Sequence, residues 1–306
     1  MRNLMLAAID IGSNAARLLI KSTDADKNSN QEVIYYKELF LRIPLRLGVE
    51  VFKIGRISDE KLRIMVHMMK SFKQMMQTYR VMNYRVCATS AMREAQNSKQ
   101  VVKTIEKETG LKIEIISGEE EADIIYGKRI EDFEKDLKTY ACVDVGGGST
   151  EVIIVNDNSI VYENSFKIGT LRMLNAGNKE NNDTVIGDMQ QTLSMIAHDY
   201  DNIDIIGSGG NINKLYKLAA NKNKKNSSFS IKSLTEIYSQ LKPLRPEERM
   251  TTFSLRRERA DVIVPAAEIF IAVASVLKSQ RIYVPMLGLA DGIIDNLYEE
   301  ITTRYE

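Results

Sequence analysis

The sequence predicts an α/β protein built from two similar domains, and three observations carry that expectation. Residues 7–20, AAIDIGSNAARLLI, and residues 141–154, ACVDVGGGSTEVII, align without a gap, so that Asp10 falls on Asp144 and Gly12 on Gly146. The order of strands and helices after each stretch is the same. At 306 residues the chain is long for one hydrophobic core and comfortable for two.

Taken in order, LMLAAIDI, ARLLIKST and EVIYYKELFLRI read as three strands, joined by short Gly-, Asn- and Asp-rich connections that suit antiparallel neighbours. SDEKLRIMVHMMKSFKQMMQTY then reads as a helix. Ser58 is its N-cap, Asp59 and Glu60 sit in its first turn, and Leu62, Met65, Val66, Met69, Phe72, Met76 and Tyr79 recur every three or four residues. That methionine stripe is core packing. The strand YRVCAT, a helix near 98–109 and the strand KIEIIS follow. From residue 139 the order restarts: YACVDVG, TEVIIVN and SIVYENSFKI as strands, helix-prone sequence to about Asp199, the strand DNIDIIGS and the helix INKLYKLAA. RIYVPM is a late strand and GIIDNLYEE a final helix, while NKNKKNSS, from 221, reads as a solvated loop. The expected domains are 1–119 and 120–306, with the last helix able to pack back on the first domain.

Apolar residues make up 44% and charged residues 27% of the chain, an ordinary globular composition. The 42 basic and 41 acidic side chains nearly cancel, so no global field draws the chain to nucleic acid or an anionic membrane. Cys87 and Cys142 sit in apolar runs and read as reduced core thiols, which points to the cytoplasm. With only two histidines, His67 and His198, a histidine-rich metal site is excluded. The start MRNLMLAAIDIG lacks the pattern of a signal peptide, and no run approaches the ~18 apolar residues of a membrane span.

The chemistry concentrates in three glycine turns. Gly146, Gly147 and Gly148, followed by Ser149 and Thr150, let backbone amides converge on an anion, and the two hydroxyls can add donors. Gly12, Ser13 and Asn14 form the matching turn of the first domain. A third, Ser208, Gly209 and Gly210, follows a strand and opens a helix, where amides and dipole favour phosphate. Asp144 and Glu151 flank the central loop with hard carboxylate oxygens suited to Mg²⁺, and Asp10 is a candidate to orient water or touch the ion from the other domain. The plainer readings are a turn-stabilising aspartate and an exposed strand glutamate.

In ISGEEEADIIYG, Ser117 reads as an N-cap and Glu120 can close a capping box. That leaves Glu121 without a structural duty and makes it the candidate general base, with its neighbour Glu120 as the other catalytic candidate. Arg93, just past a strand end in ATSAMRE, is a candidate phosphate ligand or an ordinary surface arginine.

AAIDIGSNAARLLI, ATSAMREAQN, ISGEEEA, VDVGGGSTEVIIV, FKIGTLRML, IGSGGNINKL and ERADVIVPAAEI occur in the order found in the Ppx/GppA family, and the chain resembles that family over essentially its whole length. The family comprises exopolyphosphatases and guanosine pentaphosphate phosphohydrolases. The resemblance implies the actin-like ATPase superfold: two ribonuclease-H-like domains with the active site in a cleft between them. It implies Glu121 as the base for the attacking water, Asp144 and Glu151 as Mg²⁺ residues, the three glycine turns as phosphate-binding loops and Arg93 as an added cation. Polyphosphate or pppGpp is the implied substrate and a homodimer the implied assembly.

Three positions depart from the family pattern: Ala15 where Ser is common, Lys128 where a small or apolar residue is usual, and Ala290 where Arg is frequent. Longer members continue into a helical region beyond the point where this chain stops, so short polyphosphates are the expected preference. Two other readings stay open: a pppGpp 5′-phosphohydrolase using the same residues, and a non-catalytic sensor of polyphosphate or alarmone. Retention of Glu121, Asp144 and Glu151 together weighs against the sensor, since binding alone requires no base.

Overall fold

The computed structural model describes residues 4–24, 33–126, 137–175 and 179–303, and the side chains of 179–181 are outside the description. Lys128, singled out from the sequence, lies outside the described residues. The first described elements are β1 (Met5–Ile11), β2 (Ala16–Asp24), β3 (Ile34–Ile43), α1 (Leu47–Ile54), α2 (Asp59–Thr78), β4 (Asn83–Ala88), α3 (Ser90–Glu94), α4 (Ser98–Thr109) and β5 (Glu114–Ile115). Next come α5 (Gly118–Tyr126), β6 (Thr139–Val145), β7 (Thr150–Asn156), β8 (Ser159–Phe166), α6 (Thr170–Asn175), α7 (Lys179–Ala197), β9 (Asp204–Ser208) and α8 (Gly210–Leu218). The chain closes with β10 (Lys222–Asn223), β11 (Ser228–Ser230), α9 (Ile231–Leu241), α10 (Pro246–Phe253), α11 (Arg257–Ala260), α12 (Ile263–Val276), β12 (Arg281–Tyr283) and α13 (Leu289–Thr303). Among the described residues no helix is long and apolar enough to cross a membrane.

The chain divides into two compact units, Met1–Ser117 with Leu289–Glu306, and Gly118–Gly288. The switch thus falls two residues before the expected boundary, and the second unit ends at Gly288 rather than at 306. The reason lies in α13. Its buried face, Leu289, Ala290, Ile293, Ile294 and Leu297, packs on β1, β2 and β4. Side chains alternate across a strand. Ala7, Ile9 and Ile11 of β1 therefore enter the core shared with α1, α2 and α4, whereas buried Leu6 and Ala8 face the side that α13 covers. Each such Leu or Ile removed from water is worth roughly 1.5–3 kcal/mol. A 2.7 Å ion pair from Lys21 to Asp291 fixes the helix register.

The first sheet has the order β3-β2-β1-β4-β5, antiparallel within β1–β3 and parallel from β1 through β4 to β5. The second repeats it as β8-β7-β6-β9-β12 and adds β11 and β10 at the far edge. Each unit therefore has ribonuclease-H-like strand order. Even the irregularities correspond: the register shifts at Ile20/Lys21 in one sheet and at Ile154/Val155 in the other. Ile20 and Ile154 are aligned residues of the two repeats.

Ser58 caps α2 as expected, its hydroxyl accepting from the Lys61 amide at 3.2 Å. Met65, Met69, Phe72 and Met76 all enter the first core. Two expectations need correction. The stretch from 221 is not wholly loop, because β10 and β11 pair across it as a short hairpin. The sequence pattern also gives no helix for 231–276, which carries α9 to α12. Of these, α12 is apolar on nearly all sides and has Pro265 in its first turn, so it shows no amphipathic stripe and carries an apparent breaker.

In the second unit, Ala141, Val143 and Val145 of β6, with Val152 and Ile154 of β7, join α7, α8 and α12 in one core. Alternation turns Tyr140, Cys142 and Asp144, with Glu151 and Ile153, to the opposite face. There α5 packs on β7 and β8. This placement builds the site.

Candidate functional site

The two repeated hairpins close by the same turn. Gly12 N–H donates to Ala15 C=O at 3.1 Å, and Gly146 N–H donates to Ser149 C=O at 3.0 Å. The two ladders are also in the same register, with Asp10 opposite Arg17 and Asp144 opposite Glu151. Directly opposed side chains on one sheet face are close neighbours, and like charges there repel. In the first unit Arg17 forms an ion pair with buried Asp10, so the hairpin supplies its own countercharge. In the second unit the equivalent position carries a second carboxylate. This one difference, Glu in place of Arg between the repeats, leaves the second hairpin with two facing carboxylates.

A third carboxylate arrives from α5. Glu121, Asp144 and Glu151 each offer an oxygen, all within 4.8 Å of one another. Glu121 is 9% and Glu151 1% exposed. The approach of α5 depends on Gly118, where a Cβ would stand 2.5 Å from the Ser165 side chain on β8. Ser165 in turn donates to Glu151 Oε1 at 2.9 Å. Glu119 and Glu120 are exposed on α5 and outside this trio, which sets Glu121 apart from both. Asp10 is also outside the trio, in its ion pair with Arg17.

The central glycine loop is braced from one side. Gly146 C=O accepts from Thr170 N–H, Gly147 C=O from Leu171 and Arg172 N–H, and Gly148 C=O from Arg172 Nε. A trans peptide sets N–H opposite C=O, so the amides of Gly147, Gly148 and Ser149 point away from that brace, as an anion cradle requires. A Cβ at Gly169 would lie 2.5 Å from Gly148 N, so only glycine lets the brace come so close. Thr150 departs from its expected role: its hydroxyl donates to Ile168 C=O at 2.8 Å and fastens the loop rather than facing a ligand.

The third loop meets the trio directly. Gly209 has φ +93° and ψ 164°, a conformation open essentially to glycine alone, and a Cβ there would stand 2.6 Å from Asp144 Oδ1. Gly209→Ala is therefore expected to cost about 1–3 kcal/mol from backbone strain and to displace Asp144 as well. Thermal melting with a metal titration checks both effects, and unchanged metal affinity would exclude the displacement. Arg259 donates through Nη1 to Gly210 C=O beside this loop. Burial first, then the charges of Arg259 and Lys217, lower the pKa of Lys214 on α8. Arg259 thus places positive charge at the loop, a feature that single motifs do not reveal.

In the first unit, Ser13 and Ser90 share a 2.7 Å hydrogen bond, and Ser13 Oγ also accepts from Ala91 N–H. Ser13 C=O and Asn14 C=O accept from Gly48 and Arg46 amides, so the Gly12–Asn14 turn is fixed by α3 and by the start of α1. Ala15 is buried there, its carbonyl closing the turn. Arg93 donates to Ile116 C=O at 2.6 Å, which ties the end of α3 to the chain after β5.

Two titrations mark the face under α5. Burial, then the charges of Asp144 and Cys142, push the Tyr126 phenol well up, so it stays neutral. Burial, then Asp123 and Glu119, raise Glu163 on β8 above 4.5. A carboxyl raised on folding gives stability that is complete below about 4.5 and is lost as pH rises through its folded value. Glu163→Gln is accordingly expected to melt higher than the wild type at neutral pH, with the difference vanishing toward pH 4. Melting curves across that range provide the check.

Comparison with known proteins identifies the family. The profile of the Ppx/GppA phosphatase family matches residues 41–300. A bifunctional 3-dehydroquinate synthase/phosphatase of Fusobacterium nucleatum is 33% identical over 175 residues, covering 56% of this chain and 26% of that protein. A guanosine-5′-triphosphate,3′-diphosphate pyrophosphatase of Aliivibrio fischeri is 25% identical over 324 residues, covering 98% of this chain and 61% of its own length. The chain thus spans only part of these two relatives. The crystal structure of an exopolyphosphatase from Cytophaga hutchinsonii has the same fold, with a TM-score of 0.83 and 22% identity over 97% of this chain and 98% of that one. With the family profile covering most of its length, the chain belongs to the Ppx/GppA phosphatase family.

Proposed function

We propose that the protein is a Mg²⁺-dependent hydrolase that releases the terminal phosphate of inorganic polyphosphate. The observation that carries this reading is the trio Glu121, Asp144 and Glu151, gathered at 4.8 Å beside two glycine loops. The residues fit the ion: three hard oxygen donors of like charge are packed together on a buried face and call for a divalent countercharge. Two buried hydroxyls beside them, on Tyr126 and Ser208, lack a well-formed hydrogen bond among the described residues, which marks a place for a further polar group.

Asp144 and Glu151 hold the ion, with Ser165 fixing the carboxylate of Glu151. Bound there, Mg²⁺ would neutralise charge on the phosphate oxygens. The amides of Gly147, Gly148 and Ser149 and the loop Ser208–Gly210 orient the anionic chain, aided by the positive charge of Arg259. Glu121 takes the proton of the attacking water. For the first unit, we assign phosphate contacts to Gly12–Asn14 and Arg93.

A second reading, hydrolysis of pppGpp, is favoured by the names of relatives such as the Aliivibrio fischeri protein, and a terminal phosphoanhydride is common to both substrates. Phosphate release from polyphosphates of defined length, pppGpp and ATP, each with Mg²⁺ and with EDTA, separates the readings. Turnover of polyphosphate alone supports the first and turnover of pppGpp alone the second. No release from any substrate would leave the sensor.

A further inference from the structure

Tyr126 closes α5 and is 3% exposed, and Ser208 ends β9 and is 1% exposed. Ser208 lies directly across the parallel ladder from Asp144, so its side chain projects to the same face as the trio. The Tyr126 hydroxyl comes to that place from the helix side, where it feels the charges of Asp144 and Glu151 and approaches the Ser208 hydroxyl. By strict geometry the approach falls short of a full hydrogen bond, and neither hydroxyl reaches another partner among the described residues. Two unpartnered hydroxyls buried side by side next to three carboxylates are not explained by packing, since an apolar Phe and Ala would fill the same volume without that cost.

We propose that Tyr126 and Ser208 are positioning residues of the acidic site, their hydroxyls forming the outer seat for water carried by a divalent cation at Asp144 and Glu151. Mg²⁺ gives up its waters reluctantly, and those waters need hydrogen-bond partners outside the carboxylate shell. A hydroxyl both donates and accepts, so a neutral phenol and a serine can receive the protons of a bound water and still donate to a neighbouring carboxylate. Carboxylates in the same two places would add to the repulsion among the three already there. The inference rests on the metal reading given under Proposed function.

The test is calorimetric titration of Mg²⁺ and of Mn²⁺ into the whole protein without substrate, together with melting of the metal-stripped form. Tyr126→Phe and Ser208→Ala are each expected to weaken metal binding by roughly 10–100-fold, the usual effect of losing an outer-shell partner. The metal-stripped melting temperature should stay the same or rise, because an unsatisfied group has been removed. The double variant should bind no worse than the weaker single one, as both hydroxyls serve one water. Wild-type metal affinity in Tyr126→Phe overturns the proposal, and so does a lower metal-stripped melting temperature with unchanged affinity, which would make the pair a structural contact. Asp144→Asn separates the two levels. If it binds metal as the wild type does, the metal reading fails and this inference falls with it. If it loses the metal while Tyr126→Phe keeps it, the inference alone is wrong.

Discussion

Glu121→Gln is expected to lower kcat by roughly 10²–10⁴-fold while the protein folds and binds metal as before. The amide keeps the size of the side chain and an oxygen able to face a cation, but it cannot accept a proton. Glu119→Gln and Glu120→Gln should keep near-normal turnover, because both side chains are exposed on α5 while Glu121 is turned under the helix beside Asp144 and Glu151. The decisive comparison is kcat at saturating Mg²⁺ for the three variants, beside a metal titration for each. If Glu120→Gln is the inactive one, the base is misassigned by a residue. If Glu121→Gln loses metal and regains its rate at high Mg²⁺, Glu121 is a ligand and the base lies elsewhere.

Asp144→Asn should abolish metal-dependent turnover, and EDTA should do the same to the wild type. Asp144 has no substitute among the described residues of its unit. It sits opposite Glu151 on the ladder, its Oδ1 fills the space that Gly209 leaves, and Ser208 lies across from it on β9. Loss of its charge would leave Glu151 as the one carboxylate holding the ion, which would then be kept chiefly by its own waters. Phosphate release measured against Mg²⁺ concentration gives the result. Full activity of the wild type in excess chelator would remove the metal from the proposal, and the direct titration of the variant would show whether affinity or chemistry is lost. Asp10→Asn should act differently: it breaks the ion pair with Arg17 within the first unit and should show first as lost stability, read by melting.

Much of the site was legible because its signals are local. A glycine turn after an acidic strand end is written in five residues, and its repetition at 7–20 and 141–154 exposes the duplicated hairpin. The methionine stripe of α2 and its Ser58 cap follow from periodicity and end chemistry, and the structure has both. Single motifs do not reveal the partners across the fold. Ser165 holding Glu151, Gly118 letting α5 reach β8 and Gly169 packing on the central loop are contacts between segments read separately in the sequence. Thr150 shows the opposite error: a hydroxyl next to a glycine loop looks like a phosphate donor until its acceptor, Ile168 C=O, is seen.

By itself the sequence determined the two α/β repeats, the three glycine turns and the acidic residues beside them, because strand alternation, helix periodicity and turn chemistry each act within a few residues. Only the tertiary structure decided that α13 returns to the first unit, that Asp10 is answered by Arg17 while Asp144 faces Glu151, and that Ser208 lies across the ladder from Asp144. These are matters of which sheet face a side chain takes and what lies across from it. Register and packing set them over long separations, and no local pattern carries that information.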